Sequence, residues 1–117
     1  MTNDPKLRHK EIERKRLIEY LSTPNDCDRD ISRREMKGLR FLLGMTQNEF
    51  SEFAHLRLGT LRAWEAGKQN APEYFFHLMK KLIVMKGVAT EEEVMSVLNP
   101  DEFRRVFASQ IEKEGVE

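Results

Sequence analysis

A single cysteine, Cys27, stands in the whole sequence. It excludes an intramolecular disulfide and fits a reducing cytoplasm, which is the expected location. Histidine is scarce as well. His9, His55 and His77 share no metal-ligand spacing, and Cys27 sits among acidic residues without a second thiol, so no metal is expected. No stretch approaches the ~18 apolar residues that read as a membrane span. The opening MTNDPKLRHK leads into no apolar run, so no secretory signal is expected either. Glycine-rich phosphate loops and internal repeats are absent. So are Ser/His/Asp, Cys/His and paired-carboxylate arrangements, which makes an enzyme the least favoured class and leaves no cofactor to expect.

What is plentiful is charge: 34% of residues are charged, against 39% hydrophobic, in a chain of 117. Such a chain builds a modest core that helix packing or a partner must complete. The formal net charge of zero hides a division into three parts. Residues 1–31, read as an N-terminal helix and acidic loop, carry 7 basic and 7 acidic groups. Residues 32–86 carry 10 basic and 5 acidic, net +5. Residues 87–117, read as acidic C-terminal helices that complete the core or dimerise, carry 3 basic and 8 acidic, net −5. A basic patch attracts a phosphate backbone irrespective of base sequence. Charge asymmetry of this size is common in helical proteins, so it gains weight only beside a motif.

Helical spacing and capping signals recur along the chain. Asp4-Pro5 opens a helix from Lys6 to Leu21, with Leu7, Leu17, Ile18 and Leu21 on one stripe. In it, Arg14, Lys15 and Arg16 either reach DNA or, as such runs more often do, form a solvated face. Ser22 to Asp30 reads as a loop. Ile31 to Gly44 reads as a helix capped by Ser32 with Glu35, and Ile31 is placed to staple against Met36. Met36, Leu39, Leu42 and Leu43 form its buried stripe, and Arg33, Arg34, Lys37 and Arg40 decorate the outside. Further on, Pro72 takes the first position of a helix over Glu73 to Lys86, with Phe75, Leu78, Met79, Leu82 and Ile83 inward. Tyr74, Phe76 and Met85 widen its apolar arc, which suggests a second contact surface. Thr90 with Glu93 caps a short helix with Val94, Val97 and Leu98 inward, and Asn99-Pro100 opens a last one to about Lys113 with Phe103, Val106, Phe107 and Ile111 inward.

The stretch from Met45 to Pro72 is the most informative. Thr46 and Glu49 form a capping box, and Met45 and Phe50 a hydrophobic staple. The helix they start stops at His55. Leu58, Leu61 and Trp64 then mark the buried stripe of a second short helix, which Gly67 ends. Two short helices around a turn of about four residues read as a helix-turn-helix, whose second helix has the width of the B-DNA major groove.

The run Thr46-Gln47-x-x-Phe50-Ser51 with Thr60-Leu61-x-x-Trp64-Glu65-x-Gly67-Lys68 resembles the helix-turn-helix of the XRE (Cro/CI-like) family. The second half is similar to HigA-type antitoxins and related small bacterial or phage regulators. The resemblance spans Ser32 to Val84. It implies an all-α, lambda-repressor-like helix-turn-helix domain of four to five helices, here with an extra N-terminal helix and C-terminal helices. It also implies double-stranded DNA as partner, a homodimer reading an inverted repeat, and association with the nucleoid when bound.

The base-contacting positions on the second helix are then Arg57, Leu58, Gly59, Thr60, Arg62 and Ala63. The phosphate-contacting ones are Gln47, Arg40, Lys68, Gln69 and Asn70. Trp64 reads as core and Glu65 as a structural hydrogen-bonding or ion-pairing group. The chain departs from the family at several of these positions. His55 stands where glycine is usual and Arg57 where a Ser or Thr cap is usual, while Leu58, Gly59 and Ala63 occupy outward base-reading positions. Two explanations stay open. Leu58 contacts a thymine methyl while Arg57, Thr60 and Arg62 supply polar contacts, or base reading has faded. The function expected is an autoregulatory repressor of transcription. The alternatives are an antitoxin that binds both DNA and a toxin, or a protein-interaction adaptor on the same scaffold.

Overall fold

The computed structural model describes residues 5–24 and 29–113. Residues 1–4 with the expected Asp4 cap, the loop around Cys27 and most of the expected frayed end lie outside the described residues. Among those described there are eight α-helices and no strand: α1 (Pro5–Ser22), α2 (Arg29–Leu43), α3 (Gln47–Phe53), α4 (Leu58–Glu65), α5 (Glu73–Met85), α6 (Glu91–Ser96), α7 (Pro100–Val106) and α8 (Ala108–Lys113). None of these helices is long and apolar enough to cross a membrane.

Local chemistry sets most helix ends. Thr46 accepts from the Glu49 N–H at 3.2 Å, and the Glu49 carboxylate accepts from the Thr46 N–H at 2.9 Å, so the capping box of α3 is complete. Thr90 and Glu93 repeat it at α6. Asn99 caps α7 by accepting from the Asp101 and Glu102 N–H groups. Two boundaries differ from the sequence expectation. α2 begins at Arg29, so Ser32 lies inside its first turns rather than ahead of it, and Ile31 is 62% exposed instead of stapled to Met36. Pro72 is the N-cap of α5 rather than its first residue. The expected last helix is also broken in two at Phe107, whose ring sits 5.1 Å from both Phe41 and Phe103.

α2 is buried on two faces, and each face carries a core. Met36 and Leu39 point into a cluster with Phe50, Leu61, Trp64, Phe76, Met79, Ile83 and Val94. Arg34, Gly38 and Phe41, spaced i, i+4 and i+7, face the other way. There Phe41 joins Leu17, Ile18 and Leu21 of α1 with Val97, Phe103 and Phe107 from the C-terminal helices. A Cβ on Gly38 would fall 2.5 Å from Val97 Cγ2, so glycine is what lets α2 approach the residue after α6 this closely. Leu42 packs against both clusters.

Several side chains take roles that periodicity did not indicate. Arg34 is 4% exposed rather than on the outer surface. Its guanidinium donates to the carbonyls of Leu21, Thr23 and Tyr20, and so caps the C-terminus of α1. Burial pushes this guanidinium below its usual value, with the Tyr20 phenol opposing the shift. Lys37 sits over the Tyr20 ring at 4.1 Å. Leu7, expected on the buried stripe of α1, is 45% exposed, because α1 gives apolar side chains to the core only from its C-terminal half. On α5 the inward residues are Phe76, Met79 and Ile83, while Leu78 is 61% exposed. The apolar arc of this helix is thus rotated from the expected one by about one position.

Candidate functional site

α3 and α4 are joined by residues 54–57, and the connection turns at His55, which has φ 55°. A non-glycine residue in this left-handed region is strained by about 1–2 kcal/mol. Leu56 N–H donates to Ser51 O at 2.8 Å across the turn. α4 then starts at Leu58 with Arg57 as its N-cap, and Arg57 makes no side-chain capping bond. Leu61 and Trp64 anchor α4 in the first cluster, the Trp64 ring 5.3 Å from Phe75. The helix ends on Gly67 at φ 76°, where the Gly67 N–H bonds Trp64 O and the Lys68 N–H bonds Ala63 O.

This anchoring fixes which side of α4 faces outward. Arg57, Gly59 and Arg62 are exposed, and Leu58, Thr60 and Ala63 are half-buried. Gly59 has nothing within 4 Å of where a Cβ would sit. Lys68, Gln69 and Asn70 are exposed in the loop that follows. The outer face of α4 is therefore small at its centre, with arginines at positions 57 and 62.

Arg40 belongs to a different setting from the one expected. It is 4% exposed, and its guanidinium grips the Glu65 carboxylate with two bonds, Nε–Oε2 at 2.9 Å and Nη2–Oε1 at 3.0 Å. Its Nη1 donates to Glu13 Oε1 at 2.6 Å and to Met45 O at 3.2 Å. Four of its five N–H donors are thus engaged in the interior, so Arg40 is a buried ion-pairing residue rather than one of the arginines decorating the outside of α2. A planar, bidentate pair of this kind is the strong form of a charge-assisted hydrogen bond.

Gln47 is tied into the same hub. Its side-chain amide donates to Glu65 Oε1 at 3.1 Å, and its backbone N–H donates to Glu13 Oε1 at 3.1 Å. Its side-chain oxygen accepts from Arg62 Nε at 3.4 Å. The structure thus brings Arg40 and Gln47 together on Glu65, with Arg62 joined to Gln47, and leaves Lys68, Gln69 and Asn70 on the far end of α4. Glu65 is 4% exposed, in keeping with the structural role expected of it.

Glu13 is the residue that sequence reasoning missed. It lies in α1, among charged neighbours, and nothing local marks it. It also pairs with His9 at 2.6 Å, one helical turn earlier. Lys10 pairs with Glu49 at 3.4 Å, so two successive turns of α1 hold the start of α3. The Glu49 carboxyl is held below its ordinary value, first by the Thr46 N–H and further by Lys10. Between α1 and the α3–α4 pair runs a cleft of about 400 Å³, whose walls include Glu13, Arg16, Lys37, Gln47, Arg62 and Glu65. Of the α1 arginines, Arg14 instead covers the Phe41 ring at 4.7 Å and bonds Gln110.

A second surface lies on α5 and α6. Tyr74, Leu78 and Met85 of α5 and Met95 of α6 are 60–82% exposed. A shallow apolar groove of about 420 Å³ is lined by Val84, Met85, Val94 and Met95 together with Lys80, Lys81 and Glu91.

No family model, curated protein or solved structure matches this chain.

Proposed function

We propose that α3 and α4 form a helix-turn-helix of the lambda-repressor kind, and that the protein is a sequence-specific DNA-binding regulator of transcription that represses its own operon. The observation that carries this reading is the build of the α3–α4 pair. A capped seven-residue helix turns at His55 into an eight-residue helix that buries Leu61, Trp64 and Glu65 and turns Arg57, Gly59 and Arg62 outward. A helix held this way by its inner face can enter the major groove with its first two turns. Arg57, Leu58, Gly59, Thr60, Arg62 and Ala63 are then the base-facing set. Gln47, Lys68, Gln69 and Asn70 are the phosphate set, without the buried Arg40.

One such unit has few base-reading groups, so the reading includes a symmetric dimer on an inverted repeat, with recognition helices ~34 Å apart. The groove on α5 and α6 supports a second copy as its occupant. Its apolar residues Val84, Met85, Val94 and Met95 lie with Lys81 and Glu91, so a self-complementary contact has both apolar surface and opposite charges to use. The cytoplasm, with the nucleoid when DNA is bound, is the corresponding location. An antitoxin would share this DNA binding; a second reading, a protein-interaction adaptor on the same scaffold, is favoured by the lack of side chain at Gly59 in the centre of the outer face of α4.

Fluorescence anisotropy with a labelled duplex from the gene's own upstream region and a scrambled control, at about 50 and 200 mM salt, separates these readings. The regulator binds the first duplex tightly at both salts, and Arg62→Ala abolishes that binding. Absence of binding to either duplex at the lower salt overturns the DNA reading and leaves the protein-binding one.

A further inference from the structure

We infer that the cleft between α1 and the α3–α4 pair holds a backbone phosphate of the DNA strand, which makes the N-terminal helix a second arm of the interface. This inference rests on the DNA-binding reading above.

The cleft's lining is that of an anion site. Its cations come from separate helices: Arg16 from α1, Lys37 from α2 and Arg62 from α4. Amide side chains are supplied by Gln47 and Asn48 of α3. Two carboxylates, Glu13 and Glu65, also line it, but both are bound by the buried Arg40 guanidinium. Counting Arg40, four Lys and Arg side chains stand against two carboxylates in the lining. Apolar lining is confined to Leu17 and Ala66, so an apolar ligand has little to gain there. The volume of about 400 Å³ falls within the usual range of ligand sites, ~300–1,000 Å³.

Position points to a DNA strand as the source of the phosphate. Gly59, Arg62 and Ala66 are spaced i, i+3 and i+7 along the outer face of α4, and Arg62 and Ala66 also form one wall of the cleft. A strand lying across α4 therefore continues into the cleft. On the opposite wall His9, Glu13 and Arg16 are spaced i, i+4 and i+7 and share one face of α1. Arg16 is exposed and has no ion-pair or hydrogen-bond partner among the described residues. Lys15, its exposed neighbour, is turned away from the cleft and serves as a matched control.

The test measures binding of the full chain to the upstream duplex from about 50 to 200 mM salt, for wild type, Arg16→Ala and Lys15→Ala, after thermal melting has shown that the variants fold alike. Loss of one phosphate contact lowers the slope of log K against log salt by about 0.9. The expected result is that loss for Arg16→Ala, with severalfold weaker binding, and no change of slope for Lys15→Ala. An unchanged slope in Arg16→Ala, or equal changes in both variants, overturns the inference while the DNA reading stands. Failure of the wild type to bind any duplex overturns the DNA reading itself. Addition of inorganic phosphate at constant ionic strength distinguishes a free ligand: NMR shifts at Arg16 and Arg62 in a protein whose salt slope ignores Arg16→Ala assign the cleft to small phosphates and overturn the DNA-strand source.

Discussion

The two clusters on either side of α2 are built from similar residues but from different parts of the chain. The first gathers Met36 to Val94, residues whose helices follow one another in sequence. The second closes the molecule by joining residues 17–21 to residues 97–107 across Phe41. Aromatic rings meet edge-on in both: Phe50 with Phe75 at 6.3 Å in the first, Phe41 with Phe103 and Phe107 at 5.2 and 5.1 Å in the second. Such pairs add about 0.5–1.5 kcal/mol to the burial itself. The difference is that the first cluster holds the α3–α4 pair in shape, while the second holds α1 against α2 and the C-terminal helices. Arg40 joins them, since it bonds Glu65 on one side and Glu13 on the other.

The largest effects should come from cutting at these joints. Phe50→Ala and Phe103→Ala each remove a fully buried ring, one per cluster, and should each cost about 3–5 kcal/mol. In urea denaturation, Trp64 fluorescence and circular dichroism should shift together for both variants. If Phe103→Ala instead produces an early helical loss that Trp64 does not sense, the two clusters are separate folding units. Arg40→Ala leaves Glu65 buried without its cation and should also cost about 3–5 kcal/mol. The double variant with Glu65→Ala should lose less than the sum of the two single losses, which a double-mutant cycle reads directly.

Smaller changes sharpen the contrast. Gly38→Ala pushes a methyl into Val97 and should cost about 1–3 kcal/mol, partly recovered by Val97→Ala in the same chain. In the first cluster's turn, His55→Gly relieves the positive φ and should raise stability by about 1 kcal/mol in thermal melts. The smallest effect is acid sensitivity at Glu49. Its carboxyl is held below the ordinary value of 4.5, so its contribution is present above that pH and is lost as the pH falls through its depressed folded value. Glu49→Gln should remove that part of the pH dependence of the melting temperature.

Much of the first cluster was legible in the sequence because its signals are local. Thr46 with Glu49, Thr90 with Glu93 and Gly67 are capping devices that act within one turn, and the structure places them as read. The burial of Leu61 and Trp64 follows from helical spacing in the same way. The second cluster was only half legible. The stripe Arg34, Gly38, Phe41 did not register as a buried face because one member is charged and one has no side chain. Their burial depends on what α1 and the C-terminal helices present to them. Phe76 and Leu78 exchanged roles for a related reason: the apolar arc of α5 is wide, and only its neighbours decide which edge is covered.

The candidate site shows the same division. Spacing put Arg62 off the buried stripe of α4 and the resemblance added Arg57 and Gly59, and all three are exposed, whereas Leu58 and Ala63, read as outward as well, are half-buried. By itself the sequence determined most of the helices, the caps at Thr46, Thr90 and Asn99 and the basic middle of the chain, because these follow from backbone hydrogen bonding and composition over a few residues. Only the tertiary structure decided that Arg40 is an interior clasp between Glu13 and Glu65, and that α1 forms the wall of a cleft beside α4. An arginine has the same local signature on a surface as in a core. The carboxylates that make its burial tolerable lie 27 residues before it and 25 after, so they meet it only when the chain folds.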